Sequence, residues 1–192
     1  MNKVEVYFIK TLKERAGLLL ILTLLLLIPN FSWRIFFIFL MITLVLLPRD
    51  MCNGKFNIMM ELPLSRKDVF WSSYIFLLVF SIFPQMIGYS FESIFVIQSP
   101  WSVGYGFLST LTFSSAYFGI AMLSASFGFG NFGVPFLVFI ADAFLGSIGW
   151  YDLNPYRMIS PIYQENITLA LIFALSLLMI SYFIFERKGK IK

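Results

Sequence analysis

The first fifty residues contain an apolar stretch that a water-soluble fold of ordinary size does not accommodate. Between residues 16 and 48 the only charged side chain is Arg34. As one helix this stretch would extend for about 50 Å, whereas the hydrocarbon core of a bilayer is about 30 Å thick. Asn30 lies midway, among residues that favour a turn. The stretch therefore predicts a hairpin of two short membrane spans, at residues 16–30 and 33–48.

Further apolar stretches of similar length follow, and polar segments separate them. The composition agrees with this pattern, since 59% of the residues are hydrophobic and only 12% are charged. Soluble domains carry about 25% charged residues. We therefore predict an all-α, polytopic membrane protein with six transmembrane helices, which form a single transmembrane domain over residues 1–192. The four later spans are predicted at residues 69–90, 104–126, 133–150 and 167–185.

The distribution of basic residues predicts the orientation of these spans. An even number of spans places both termini on one side of the membrane, together with the second and fourth loops. Only Arg34 and Arg157 of the 14 lysines and arginines then fall on the other side. Because cytoplasmic loops carry an excess of Lys and Arg, we expect a multi-pass cell-membrane protein with both termini in the cytoplasm. Contact with anionic membrane lipid then explains the net charge of +4 without nucleic acid as a partner.

Two segments outside the spans have an amphipathic or aromatic character. In residues 1–15, Val4, Phe8 and Leu12 follow helical spacing while basic side chains gather on the other side. This pattern predicts a helix that lies in the membrane interface, although a frayed basic tail would also set the topology. The outer loop, residues 150–166, is rich in Trp and Tyr, which is typical of an aromatic belt at headgroup level or of a partly inserted lid.

The longest cytoplasmic loop, residues 49–68, carries more apolar side chains than a passive connector needs. Residues 54–62 can form a short helix, which Pro63 ends because the residue before a proline avoids the helical region. Ser65 and Asp68 then have the spacing of a capping box that begins the third span. The loop can serve to receive a partner protein, or it can rest on lipid as an amphipathic segment. Its apolar residues are Phe56, Ile58, Met59, Met60, Leu62 and Leu64.

The sequence from Glu61 to Asp68, ELPLSRKD, resembles the Leu-Pro-[Val/Leu]-Ser-Arg-basic-acidic stretch before the third span of ABC-2 type transporter permeases. The resemblance implies that residues 54–61 form a coupling helix, which docks on a separate ATP-binding cassette ATPase that holds ATP and Mg. It also implies that two permeases, identical copies or sister chains, pair around the substrate path. The ATPase-coupling residues that it implies are Gly54, Lys55, Phe56, Ile58, Met59, Met60, Glu61, Leu62, Pro63, Ser65 and Arg66.

Several kinds of chemistry are excluded by residues that the sequence lacks. Histidine is absent and Cys52 is the single cysteine, so no His/Cys metal site or Cys–His catalytic pair can form. No G-x-x-x-x-G-K-[ST] motif occurs, so this chain cannot hold a nucleotide in a P-loop. We therefore expect no cofactor and no enzymatic activity in this chain, and ATP hydrolysis only in a partner.

Asp142 is the one carboxylate within the predicted spans, in the middle of span five. An ionised carboxylate at mid-membrane is costly, so it should face protein or water. It can line a substrate path or bond one helix to another. Two alternatives to a transporter subunit would use Asp142. They are a proton-linked carrier and, less favoured, an intramembrane enzyme. A noncatalytic membrane scaffold is a further alternative.

Overall fold

The computed structural model describes residues 3–28, 30–52, 65–95, 100–148 and 154–188. Helix is the only regular secondary structure that these residues form. In chain order the helices are α1 (Lys3–Leu25), α2 (Phe31–Leu44), α3 (Leu47–Cys52), α4 (Arg66–Phe95), α5 (Pro100–Phe127), α6 (Gly133–Ser147), α7 (Tyr156–Ile159) and α8 (Ile167–Lys188).

The predicted all-α class is confirmed, and the helices fit a membrane-embedded protein. The prediction of six spans is not confirmed, because α6 has only 15 residues, or about 22 Å, and α1 is polar over its first half. Among the described residues, four segments are long and apolar enough to cross a bilayer. They are Phe31–Cys52, Arg66–Phe91, Val103–Phe127 and Ile167–Arg187.

Helix α1 joins the predicted interfacial segment to the predicted first span. Its backbone is non-helical only at Arg15, with φ −136° and ψ 22°. The part before this break packs on α4, where the rings of Tyr7 and Phe8 lie 6.2 and 4.8 Å from that of Phe76. Tyr7 is buried as a result. The segment is therefore helical, as predicted, while its position at a membrane interface stays a prediction.

Asn30 begins α2 as an N-cap, which confirms the turn predicted in the first apolar stretch. Its side-chain oxygen accepts hydrogen bonds from the backbone N–H groups of Ser32 at 2.9 Å and Trp33 at 3.4 Å. An N-cap satisfies donors that have no carbonyl partner in the first turn of a helix. The chain consequently reverses between α1 and α2, and the two helices pack against each other.

The predicted capping box at the start of α4 is confirmed. The backbone N–H of Asp68 donates to the Ser65 hydroxyl at 3.2 Å, and the backbone N–H of Ser65 donates to the Asp68 carboxylate at 3.0 Å. The Ser65 hydroxyl also donates to that carboxylate at 2.6 Å. These reciprocal bonds satisfy the first turn and fix where the long helix begins.

Replacing Ser65 by alanine should lower the free energy of unfolding by about 1 kcal/mol, because the cap loses its side-chain acceptor. Denaturant titration of the purified protein measures this change. Ser176→Ala is the matched control, since the Ser176 hydroxyl only donates to the Ile172 carbonyl on the exposed face of α8. We expect the control to stay within about 0.5 kcal/mol of the original chain. An equal loss in both variants would contradict the capping role.

The closest helix pair in the described structure is α5 with α8. Small buried residues, among them Ala116 on α5 and Ala174 on α8, allow this approach. At Gly119 a Cβ atom would lie 3.0 Å from the backbone carbon of Leu177. Small residues at helix contacts are typical of membrane proteins, where close backbone packing drives helix association. Gly119 therefore sets the spacing of the two helices.

Gly119→Val should separate α5 from α8 and lower the free energy of unfolding by about 2 kcal/mol through overpacking. Gly104→Val is the matched control on α5, because a Cβ there meets nothing within 4 Å. We expect the control to change stability by about 0.5 kcal/mol or less. Thermal unfolding of the two variants in one detergent makes the comparison. A tolerated valine at Gly119 would show that the helices are not in close contact.

Candidate functional site

Most of the predicted coupling segment lies outside the described residues. This applies to Gly54, Lys55, Phe56, Ile58, Met59, Met60, Glu61, Leu62 and Pro63. Ser65 and Arg66 are described, and they lie at the first turn of α4. Helix α3 comes immediately before the segment and α4 immediately after it. The structure thus shows what holds the two ends of the segment.

An ion pair and a hydrogen bond fix α3 in place. The Arg15 guanidinium, at the break in α1, forms a salt bridge with the Asp50 carboxylate of α3. The exposed fractions of these side chains are 9% and 4%, so the pair is buried. The backbone N–H of Leu47 donates to the Ser73 hydroxyl of α4 at 3.3 Å. Helices α1, α3 and α4 are therefore joined beside the coupling segment, at what we call the α3 end.

Asp142 lies at the centre of a polar cluster near the opposite end of the bundle. Its carboxylate is 4% exposed and accepts three hydrogen bonds from hydroxyl groups. The donors are Tyr117 of α5 at 2.8 Å, Tyr156 of α7 at 2.7 Å and Ser160 after α7 at 2.6 Å. Asp142 therefore bonds three parts of the chain together, while a role in a substrate path stays a prediction.

The Tyr156 hydroxyl of this cluster remains protonated in its surroundings. Burial raises the pKa of the Tyr156 hydroxyl, and its hydrogen bond to the Asp142 carboxylate raises that pKa further. The neutral phenol is therefore the form present near pH 7, and its O–H group can donate a hydrogen bond to the carboxylate. The arrangement is suited to binding segments together rather than to attack on a substrate.

The segment after α6 folds back onto the end of that helix. The Asn154 amide donates to the backbone carbonyls of Leu145 and Ile148, each at 2.8 Å. The Tyr163 hydroxyl donates to the carbonyl of Ala143 at 2.8 Å, and its ring lies where Gly146 leaves room. Carbonyls in the last turn of α6 thus gain side-chain partners. We call the end of the bundle that holds this segment the α7 end.

Gln164 connects this segment to α5 in a strained conformation. Its backbone φ is 52°, a left-handed value that costs a residue other than glycine about 1 kcal/mol or more. Its carbonyl accepts a hydrogen bond from the Tyr105 hydroxyl at 2.8 Å, and its side-chain amide donates to the Ser109 carbonyl at 3.1 Å. The sequence offered no signal for this residue, because a glutamine in a polar loop is ordinary.

Arg34, the single charge in the first apolar stretch, is buried at the same end. Its guanidinium donates to the Ile28 carbonyl at 3.1 Å and lies 4.6 Å from the ring centroid of Tyr89 on α4. Such a cation–π contact compensates part of the loss of hydration. At Gly88 a Cβ would come within 2.8 Å of the Leu27 carbonyl, so α4 closely approaches the turn after α1.

Comparisons with protein-family models, with curated proteins and with solved structures found no match. Within the described part of the chain, no group of three or more acidic or cysteine side chains is arranged to hold a metal ion. The polar features that distinguish the described structure are the capped start of α4, the buried ion pair at the α3 end and the hydroxyl–carboxylate cluster around Asp142.

Proposed function

We propose that the chain is the membrane-spanning permease subunit of an ABC transporter of the ABC-2 type. In this proposal a separate ATPase subunit, which holds ATP and Mg, docks on residues 54–61. Its ATP hydrolysis is coupled to the movement of a substrate along a path between this chain and a second permease. The ATPase, the second permease and membrane lipid are the partners, and both termini are cytoplasmic.

The observation that carries the proposal is the capped start of α4 within the permease-like stretch. The resemblance identifies residues 61–68, and within them Ser65 and Asp68 form the two-way cap. A capped first turn makes the junction between the loop and the helix stiff. A displacement of the loop by a docked partner would then be passed to the whole of α4, which contains 30 residues.

The contacts of α4 support a role in transmitting such a displacement. This helix packs against α1, α2, α3, α5 and α8. On the other side of the coupling segment, the Arg15–Asp50 pair binds α3 to α1. A partner that moves the segment therefore acts on a braced group of helices. The hydroxyl cluster around Asp142 binds α6 to α5 and α7 at the α7 end.

The proposal is tested by coexpressing the full chain with candidate ABC ATPases from the same genome and purifying the complex in mild detergent. We expect near-equal stoichiometry and an ATPase rate that responds to the permease. Glu61→Arg and Arg66→Glu should each reduce the copurified ATPase by about ten-fold, because reversing one buried interface charge costs about 1.4 kcal/mol or more. Lys13→Glu is the matched control, since it reverses an exposed charge of α1 outside the coupling segment.

Three results argue against this function. They are failure of the ATPase to copurify, copurification that the coupling variants do not change, and equal loss with Lys13→Glu.

A proton-linked carrier is the second candidate, because Asp142 is a buried carboxylate. Reconstituted carrier would move substrate in response to a pH gradient without ATP. A scaffold would show no flux under either energy source, and an intramembrane enzyme would turn over its substrate without ATPase.

A further inference from the structure

A cavity of about 290 Å³ at the α7 end is lined mainly by aromatic side chains. The aromatic rings are those of Phe31, Tyr89, Tyr105 and Tyr163, and they come from α2, α4, α5 and the segment before α8. Gln164 completes the lining beside them. Concave, mostly apolar pockets with a few fixed polar groups are typical of small-ligand sites.

The side chain of Gln164 is held so that one of its polar atoms lacks a partner. The residue is 1% exposed, and its amide nitrogen donates to the carbonyls of Ser109 and Pro161. Its amide oxygen, Oε1, is buried and accepts no hydrogen bond from the described residues. Buried polar atoms are normally paired, and strained backbone that several bonds maintain is concentrated at functional sites. Gln164 thus brings an acceptor with no partner among the described residues to the wall of the cavity.

The Tyr89 hydroxyl provides the complementary group. It accepts a hydrogen bond from the Gln85 amide at 3.3 Å, and no acceptor for its own proton is present in the described part of the chain. A ligand in the cavity therefore meets both an acceptor, Gln164 Oε1, and a donor, the Tyr89 O–H. Hydroxyl groups match both, since each can donate and accept.

The charges around the cavity favour an uncharged ligand. Two of the four rings already carry a guanidinium, since Arg34 lies 4.6 Å from the ring centroid of Tyr89 and Arg157 lies 4.9 Å from that of Tyr163. A second cation over these rings would be repelled. An anion finds no charged partner in the lining, since none of the described side chains that line the cavity is charged and Arg157 is already paired with Glu165.

We propose that this cavity binds an uncharged, hydroxyl-rich ring, a sugar, through stacking on the aromatic walls and hydrogen bonds to Gln164 Oε1 and the Tyr89 hydroxyl. The C–H faces of a sugar ring are apolar while its edge carries hydroxyl groups, which matches the distribution of groups in the cavity. Such a ring can come from a glycolipid headgroup or from a free sugar. The site needs neither ATP nor an ATPase, so it does not depend on the proposed function.

The test uses the full chain in nanodiscs of phosphatidylcholine and titrates it with monomeric octyl glucoside, glucose and octyl phosphocholine. Binding is followed by saturation-transfer NMR. We expect octyl glucoside to bind and octyl phosphocholine, which has the same tail and a charged headgroup, to bind about ten-fold more weakly or not at all. Binding of glucose as well identifies the ring alone as sufficient, whereas binding of octyl glucoside alone identifies a glycolipid headgroup.

Two variants and one control locate the site. Gln164→Met and Tyr89→Phe should each weaken octyl glucoside binding by about ten-fold, because each removes one hydrogen bond to the ligand. If Gln164→Met does not fold, Tyr89→Phe alone still tests the site. Tyr74→Phe is the control, since it removes a buried hydroxyl that bonds to Ser115 elsewhere in the core. Absence of sugar binding, equal binding of octyl phosphocholine, or unchanged affinity in the foldable variants overturns the inference.

Discussion

Asp142→Ala is expected to lower the free energy of unfolding by about 3–5 kcal/mol. The variant removes the acceptor of three hydroxyl groups at once, those of Tyr117, Tyr156 and Ser160. Each buried donor that loses its partner costs about 1–3 kcal/mol. Unfolding in mild detergent, followed by circular dichroism, measures the loss.

Two further variants separate a bonding role from a general effect of mutation in α6. Ser147→Ala removes an exposed hydroxyl that only donates to the Phe144 carbonyl of the same helix, so it should change stability by about 0.5 kcal/mol or less. Asp142→Asn keeps one acceptor oxygen and should cost less than Asp142→Ala. If both Asp142 variants were as stable as the original chain, the cluster would not hold the α7 end together.

The same variants separate a permease from a proton-linked carrier. In a carrier, Asp142 exchanges its proton during transport, so Asp142→Asn abolishes flux that is driven by a pH gradient while the fold survives. In the proposed permease, Asp142→Asn acts through stability and leaves the response to ATP in the protein that remains folded. Flux assays on reconstituted protein, normalised to the folded fraction, distinguish the two outcomes.

Local signals in the sequence predicted local features of the structure. Asn30 has the side chain of an N-cap between two apolar runs, and it caps α2. Ser65 and Asp68 have the spacing of a capping box, and their bonds form it. The burial of Asp142 followed from the cost of a carboxylate among apolar residues. In each case the interacting groups are close in sequence or the residue contrasts with its neighbours.

Long-range partners could not be predicted, because they depend on how the helices pack. Arg15 and Asp50 are 35 residues apart, and each looks like an ordinary charge beside an apolar run. The bond between the Tyr105 hydroxyl and the Gln164 carbonyl crosses 59 residues. Hydropathy also failed to locate the end of α6, since the apolar run continues to residue 150 while the helix ends at Ser147. Beyond Ser147, the carbonyl of Ile148 accepts a hydrogen bond from the Asn154 amide.

Asp50→Ala is expected to lower the free energy of unfolding by about 3–5 kcal/mol, because it leaves the buried Arg15 guanidinium without its carboxylate. The matched control is the double variant Arg15→Met with Asp50→Leu, which replaces the pair by apolar side chains of similar size. Apolar replacement of a buried ion pair is often neutral or stabilising, so the double variant should recover most of the loss. Denaturant titration of all three proteins measures this coupling.

The functional consequence of this ion pair follows from its place before the coupling segment. In the proposed transporter, Asp50→Ala should release α3 from α1, so that a docked ATPase would move the segment without moving the braced helices. We expect ATP-driven transport to fall while ATPase copurification persists, and the double variant to restore transport along with stability. If Asp50→Ala cost about 1 kcal/mol or less, Arg15 would have another partner or reach water, and α3 would not be held by this pair.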